Sequence, residues 1–219
     1  MASEDKITLF TFFRSSASYR VRIALNWKGI DHESIYINLA KGEQHNEEYK
    51  SINPSHMVPV LKLADGKSLT QSEAIIEYLD ETYPDRPLLP HGPVHRAQVR
   101  AIAQFIACDI HPIQNLSVLK HVGGDDMDKR VEWANHWIDR GFQALEKTLA
   151  GSAGIYCVGD NITLADIFLV PMVYNAKRFK VDMQKFPIIN RINNTLLTLS
   201  EFSSASPENQ PDCPPEMRQ

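Results

Sequence analysis

Apolar residues fall along this chain in two rhythms. Ile7 to Phe12 is a run of β-branched and aromatic residues and reads as a buried strand. Arg14-Ser15-Ser16 interrupts it. Ala17, Val21, Ala24 and Trp27 then recur at helical spacing until Gly29 stops the pattern. Ile35, Ile37 and Leu39 alternate as a second strand, and strand, helix, strand at this length implies a parallel βαβ unit. Val58 to Leu63 is a third strand, Asp65-Gly66 a hairpin turn and Ser68 to Thr70 a short fourth strand. From Ser72, residues Ile75, Ile76 and Leu79 line one face of a helix that ends by Pro84.

Pro84, Pro87, Pro90 and Pro93 then crowd into a linker, because proline at that density permits neither helix nor central strand. Everything beyond is helical in pattern. Val131, Ala134, Ile138, Phe142, Leu145 and Leu149 step along one stripe. Pro112 is expected to end or kink a helix that begins near Val94. Thr163 and Asp166 are spaced as a capping box, flanked by Ile162 and Ile167. Ser203 to Gln219 carries four prolines and few apolar residues and reads as an extended tail. The expected division is a domain over 1–86 and a helical domain, tail included, over 92–219.

Composition narrows the function classes. A net charge of −4 leaves no footprint for nucleic acid. No apolar run is long enough to span a bilayer. Met1 to Lys6 has no signal-peptide pattern, and Met217-Arg218-Gln219 is no peroxisomal address. Cys108, Cys157 and Cys213 are odd in number and widely spaced, which suits a reducing, cytoplasmic setting and suggests no metal site.

The chemistry concentrates at three segments. Ser15 and Ser16 sit where a strand gives way to a helix, whose free N–H groups and dipole can stabilise an anion such as a thiolate. Capping alone is the competing reading. Pro59 opens a strand, where a cis bond can turn backbone groups toward a ligand. Thr70-Gln71-Ser72-Glu73 opens a helix that Ser72 can cap and whose N-terminus can take a carboxylate.

Together with Arg20-Val21-Arg22-Ile23-Ala24-Leu25, Lys28-Gly29-Ile30, Ile76-Glu77-Tyr78-Leu79, Gln114-Asn115-Leu116-Ser117-Val118-Leu119, Gly154 to Asp160 and Arg178-Phe179-Lys180-Val181, these motifs resemble the zeta class of the glutathione S-transferase superfamily. The likeness runs from Leu9 to about Arg218. It implies an α/β plus all-α fold: a thioredoxin-like N-terminal domain of order β-α-β-α-β-β-α, followed by a helical bundle. It implies glutathione as cofactor, a homodimer, and cis–trans isomerisation of an acidic, unsaturated keto acid by reversible thiolate addition. Glutathione conjugation or dehalogenation, and a low-turnover binding protein, are the alternatives.

The resemblance also implies roles. Ser15 bonds the glutathione sulfur, with Ser16 beside it and the site running through Ala17, Ser18, Tyr19 and Arg20. Val58, ahead of a cis Pro59, pairs its backbone with the cysteinyl part. Gln71 and Ser72 hold the γ-glutamyl carboxylate. Gln44, His111, Asn115, Leu116 and Ser117 are further glutathione contacts, and Arg178 receives a substrate carboxylate. Ala17 stands where the class usually has cysteine, Tyr19 where it has tryptophan or histidine, and His111 where it has glutamine.

Overall fold

The computed structural model describes residues 6–218. Met1 to Asp5 and Gln219, on which the readings of both termini partly rest, lie outside the described residues. The chain forms two compact units, one made of the residues up to Arg86 together with those from Ser200 onward, the other of Pro87–Leu199.

The first unit runs β1 (Thr8–Thr11), α1 (Ser16–Lys28), β2 (Glu33–Tyr36), α2 (Glu47–Ile52), β3 (Val60–Lys62), β4 (Ser68–Thr70) and α3 (Ser72–Thr82). Its sheet has the order β2-β1-β3-β4; β2 is parallel to β1, and β3 and β4 are each antiparallel to the strand before them in that order. Phe10 stands opposite Val60 and Leu9 opposite Leu61. Side chains alternate across a strand, so the two pairs face opposite sides. Phe10 and Val60 join Phe12, Phe13, Tyr49, Val58 and Cys213 in one apolar cluster. Leu9 and Leu61 are fully buried on the other side, and α1 packs against α3 with Ile23, Leu25, Ile75, Ile76 and Leu79 buried. Gly29 closes α1 at φ 66°, a conformation that suits glycine, and its N–H returns to the carbonyls of Asn26 and Leu25. Beside it, the buried Lys28 ammonium reaches Asp80 Oδ1 (2.6 Å) and the carbonyls of Tyr83 and Asp85 beyond the end of α3. That accounts for all three of its protons.

The second unit contains α4 (Pro93–Gln104), α5 (Leu116–Gly123), α6 (Met127–Ala150), α7 (Leu164–Arg178) and α8 (Pro187–Leu197). Helix α4 packs on α7, α5 on α6, and α8 on both α6 and α7. Of the α6 stripe, Ala134, Ile138, Phe142, Leu145 and Leu149 are fully buried, and Val131 is half-buried. The proline-rich stretch is more than a linker. Leu88 and Leu89 are buried, and the Leu88 carbonyl accepts from Leu164 N at 2.9 Å. Helix α4 starts with Pro93 in its first turn, where a missing N–H costs nothing. It then widens into a π-helix over Phe105–Ile110, and His111 N bonds the Ile106 carbonyl five residues back. Pro112 follows as the first residue of a 3₁₀ turn, so helix α4 and its continuation stop there. The capping box at α7 forms as the spacing implies: Asp166 Oδ2 accepts from Thr163 N and Oγ1, while Oδ1 accepts from Cys157 N.

The C-terminal segment departs from the sequence reading in both conformation and place. Residues from Ser200 onward pack with the first unit, not with the helical one. They form α9 (Ser200–Ser203) and 3₁₀ turns at Pro207–Asn209 and Pro215–Met217. Four spaced residues, Phe202, Ala205, Pro207 and Cys213, are buried. Sparse apolar content concealed them, and buried hydrogen bonds from α1 hold the segment's carbonyls.

Candidate active site

Ser15 is the N-cap of α1. Its backbone is extended, and its Oγ accepts from Ser18 N at 3.2 Å. As an acceptor of that bond the hydroxyl still has its own proton to donate. Ser15 sits at the end of a turn in which its N–H bonds the Phe12 carbonyl at 3.0 Å. Ala17, two residues into the helix, is half-buried beside the cap.

Apart from Ala17, the rest of the stretch is buried. Ser16 is 6% exposed, and Ser18, Tyr19 and Arg20 are 0%, 1% and 2% exposed. Tyr19 donates its hydroxyl proton to the Phe202 carbonyl at 3.1 Å. Arg20 Nη1 donates to Ser72 Oγ at 3.2 Å. These two bonds tie the start of α1 to the C-terminal segment and to the start of α3.

Val58 and Pro59 are joined by a cis peptide bond, as the resemblance implies. The loop before it is held at Met57, whose carbonyl accepts from Tyr49 Oη (2.6 Å) and Asn53 Nδ2 (2.8 Å). Burial pushes the Tyr49 hydroxyl well above its ordinary range, so it stays a proton donor. Gln44 lies in the 3₁₀ turn Glu43–His45, with Nε2 3.3 Å from the His45 ring, and that ring meets the His56 ring of the same loop at 3.1 Å.

The start of α3 differs from the sequence reading. Its N-cap is Gln71, at φ 70° and ψ 117°, with no side-chain cap, whereas Ser72 is the first helical residue and spends its oxygen on Arg20. A non-glycine residue at positive φ costs on the order of 1–3 kcal/mol, and such residues cluster at ligand sites. Gln71 therefore gives no side-chain cap to the first N–H groups of α3.

In the helical unit, His111 follows the π-helix and is half-buried. Gln114 Nε2 donates to the His111 carbonyl at 3.1 Å, and Gln114 Oε1 accepts from Asn175 Nδ2 at 3.3 Å. Asn115 is the N-cap of α5 without a side-chain cap, and Leu116 and Ser117 form that helix's first turn, both exposed. Arg178 is exposed at the last residue of α7, its guanidinium 4.7 Å from the Phe179 ring centre.

Two groups escaped sequence reasoning. Arg22, 4% exposed, donates from Nε to the Ala205 carbonyl (3.0 Å), from Nη1 to Thr11 Oγ1 and the Phe12 carbonyl, and from Nη2 to the Phe13 carbonyl (3.0 Å). Asp212 Oδ2 accepts from Phe13 N at 2.8 Å across 199 positions of sequence. No spacing rule connects positions so far apart. As for metals, His91 and His95 stand four apart, but α4 begins only at Pro93, and no cluster of three or more ligating side chains occurs among the described residues.

Residues 14–82 match the N-terminal domain of glutathione S-transferases and residues 113–199 the C-terminal domain. The maleylacetoacetate isomerase of Mus musculus is 52% identical over 215 residues, covering 97% of this chain and 98% of its own. A bacterial maleylpyruvate isomerase solved in its holo form, a zeta-class glutathione S-transferase, superposes with a TM-score of 0.91 at 41% identity, covering 94% of this chain and all of its own. A maleylacetoacetate isomerase from Anaeromyxobacter dehalogenans, solved with glutathione in its active site, superposes at 0.88 with 38% identity over 96% of this chain and 99% of its own. With both family domains present and half its residues shared with such relatives along nearly its whole length, the chain belongs to the zeta class of the glutathione S-transferases.

Proposed function

We propose that this protein is a glutathione-dependent cis–trans isomerase acting on an acidic, unsaturated keto acid of the maleylacetoacetate or maleylpyruvate type. The observation that carries the reading is Ser15: a hydroxyl at the N-cap of α1, with a proton to donate, following the buried Phe12–Phe13 turn that packs in one cluster with Val58. The donor set suits glutathione. The N-terminus of α3, which Gln71 does not cap through its side chain, and the Gln71 amide suit an α-carboxylate. The Val58 backbone is assigned to pair with the cysteinyl part of glutathione.

When bound, glutathione would supply a nucleophilic thiolate for reversible addition to the cis double bond. Ser15 donates a hydrogen bond to the sulfur and, with the positive end of α1, holds its proton affinity down. Gln71 and Ser72 orient the γ-glutamyl end, and Gln44, with its amide beside His45, steadies the other end. His111, Asn115, Leu116 and Ser117 are assigned to glutathione and substrate contact. Arg178, exposed and cationic, is assigned to the substrate carboxylate.

We further assign a homodimer in the cytosol. Three free cysteines agree with a reducing compartment, and no described helix is long and apolar enough to cross a membrane. A sedimentation mass near 24.8 kDa would count against the dimer.

A steady-state assay with maleylpyruvate or maleylacetoacetate and glutathione tests the function. Turnover with glutathione recovered intact is the expected result. Glutathione consumed in step with substrate would make the protein a conjugating transferase, and binding without turnover a carrier.

A further inference from the structure

We propose that Asp212 is a positioning residue for Ser15, acting through the Phe13 N–H, and that the C-terminal segment is therefore part of the machinery that sets the bound thiol. The proposal rests on the assignment of Ser15 above.

The turn from β1 into α1, Phe12-Phe13-Arg14-Ser15, belongs to no strand or helix, so its polar groups need partners from elsewhere. The C-terminal segment and α1 supply them. Asp212 Oδ2 takes the Phe13 N–H at 2.8 Å. Arg22 donates to the Phe12 and Phe13 carbonyls and, through Nε, to the Ala205 carbonyl of the same C-terminal segment. Tyr19 adds a second tie, to the Phe202 carbonyl. The next residue after Asp212, Cys213, is buried in the cluster that also holds Phe12, Phe13 and Val58. The segment therefore grips the turn that presents Ser15 and shares its apolar cluster with Val58.

Two features mark Asp212 as more than a surface acceptor. Its second oxygen, Oδ1, is buried with no hydrogen-bond partner among the described residues. Burial pushes its carboxyl above the ordinary range, against the Phe13 N–H and the Arg22 charge that pull it down. The Phe13 N–H is thus held at 2.8 Å by a half-buried carboxylate oxygen. Ser15 lies two residues on, and its own N–H is bonded inside the same turn. A shift in Phe13 is therefore carried along this turn to the Ser15 hydroxyl, and small displacements of a donor weaken its bond steeply.

The test compares Asp212→Ala, Asp212→Ser and Asp212→Asn in the full chain. Asn keeps an acceptor for the Phe13 N–H, Ser has one too short to reach it, and Ala has none. Three readouts are taken: hydrogen exchange at the Phe13 amide, the pH titration of bound glutathione by thiolate absorbance, and kcat with KM for glutathione and the keto acid. Ala and Ser are expected to speed Phe13 exchange, raise the bound thiol's pKa and lower kcat at neutral pH by about tenfold, the effect of weakening one charge-assisted hydrogen bond. KM for the keto acid should stay within about twofold, as no contact to it is altered. Asn is expected to restore all three readouts. Faster Phe13 exchange with an unmoved thiol titration and kcat would overturn the inference, as would Asn behaving like Ala. Failure of both Ala and Ser variants to fold would also overturn it, making the segment a stability element only. Absence of any bound thiolate in the unaltered protein would instead overturn the Ser15 assignment itself, and the inference with it; the Phe13 exchange measurement tells these failures apart.

Discussion

Arg20 and Ser72 join the starts of two helices. Nη1 of Arg20, near the beginning of α1, donates to Oγ of Ser72, the first residue of α3, at 3.2 Å, and both side chains are buried. The bond holds the helix end that presents Ser15 against the helix end proposed for the γ-glutamyl carboxylate. Ser72→Ala leaves a buried guanidinium N–H without that acceptor. It should lower stability by about 1–3 kcal/mol, read by chemical denaturation. It should also raise KM for glutathione. An unchanged KM would mean that Ser72 serves the Arg20 contact alone.

Gln71 separates strain from binding. At φ 70° its side chain is held in a backbone conformation that glycine adopts more readily. Gln71→Gly should leave thermal stability level or raise it by up to about 1 kcal/mol, while weakening glutathione binding through the lost amide. Loss of stability without loss of affinity would show that the strain has no part in binding.

Legibility from sequence follows how local each signal is. The Ile7–Phe12 run, the Asp65-Gly66 turn, the α6 stripe and the Thr163–Asp166 box are decided within one element, and the structure shows each of them. At α3 the reading slipped by one residue. A serine before a helical run is the ordinary cap, and nothing in the residue Gln71 announces a positive φ. At the C-terminus, four prolines and scattered apolar residues look like a solvated tail. What orders Ser200 to Arg218 is Arg22, Tyr19 and Phe13, nearly two hundred positions away. Even Arg22 was hidden, because a charged residue in an amphipathic helix reads as the solvent face until its four acceptors are seen.

Glu201 links the C-terminal segment to acid stability. Its Oε1 takes Arg86 Nη2 at 2.7 Å, and the Arg86 guanidinium lies 3.5 Å over the Trp27 ring. The hydrogen bond from Arg86, with a smaller backbone contribution, holds its carboxyl below the ordinary value. A carboxylate depressed in the folded state contributes stability above its unfolded pKa, and that contribution is lost as pH falls below about 4.3 through the folded value. Glu201→Gln should therefore flatten the loss of stability with acid and cost only about 0.2–1 kcal/mol at neutral pH, since the pair is partly exposed. Intrinsic tryptophan fluorescence follows the transition, and an unaltered acid slope would exclude the pair from it.

Asp166 is the polar hub of the helical unit. Fully buried, it accepts from Cys157 N, Thr163 N and Thr163 Oγ1. Asp166→Ala strands two buried backbone N–H groups at about 1–3 kcal/mol each. The expected loss is about 3 kcal/mol or more by denaturant titration. The loop before α7 should loosen first, because Cys157 N and Thr163 N tie it to Asp166. A loss under 1 kcal/mol would mean that water replaces the carboxylate without strain.

Ser15 does two things that one substitution confounds. As N-cap it accepts from Ser18 N, and as proposed activator it donates to the glutathione sulfur. Replacing an N-cap serine with alanine costs about 0.5–2 kcal/mol of stability, but replacing it with glycine costs only a few tenths. Ser15→Gly is therefore the cleaner probe: it spares the helix start and removes the hydroxyl. The bound thiol's pKa should rise, and turnover at neutral pH should fall by about tenfold to a hundredfold, equivalent to about 1.5–3 kcal/mol for one charge-assisted hydrogen bond felt at the transition state. The deficit should shrink as pH rises, because above the raised pKa the sulfur is ionised without help from Ser15. Ser15→Thr keeps both the cap and the hydroxyl and should retain most of the activity. If Ser15→Gly turned over at the full rate with an unchanged thiol titration, activation would have to come from the N-terminal end of α1 alone, and the hydroxyl would be no more than a cap.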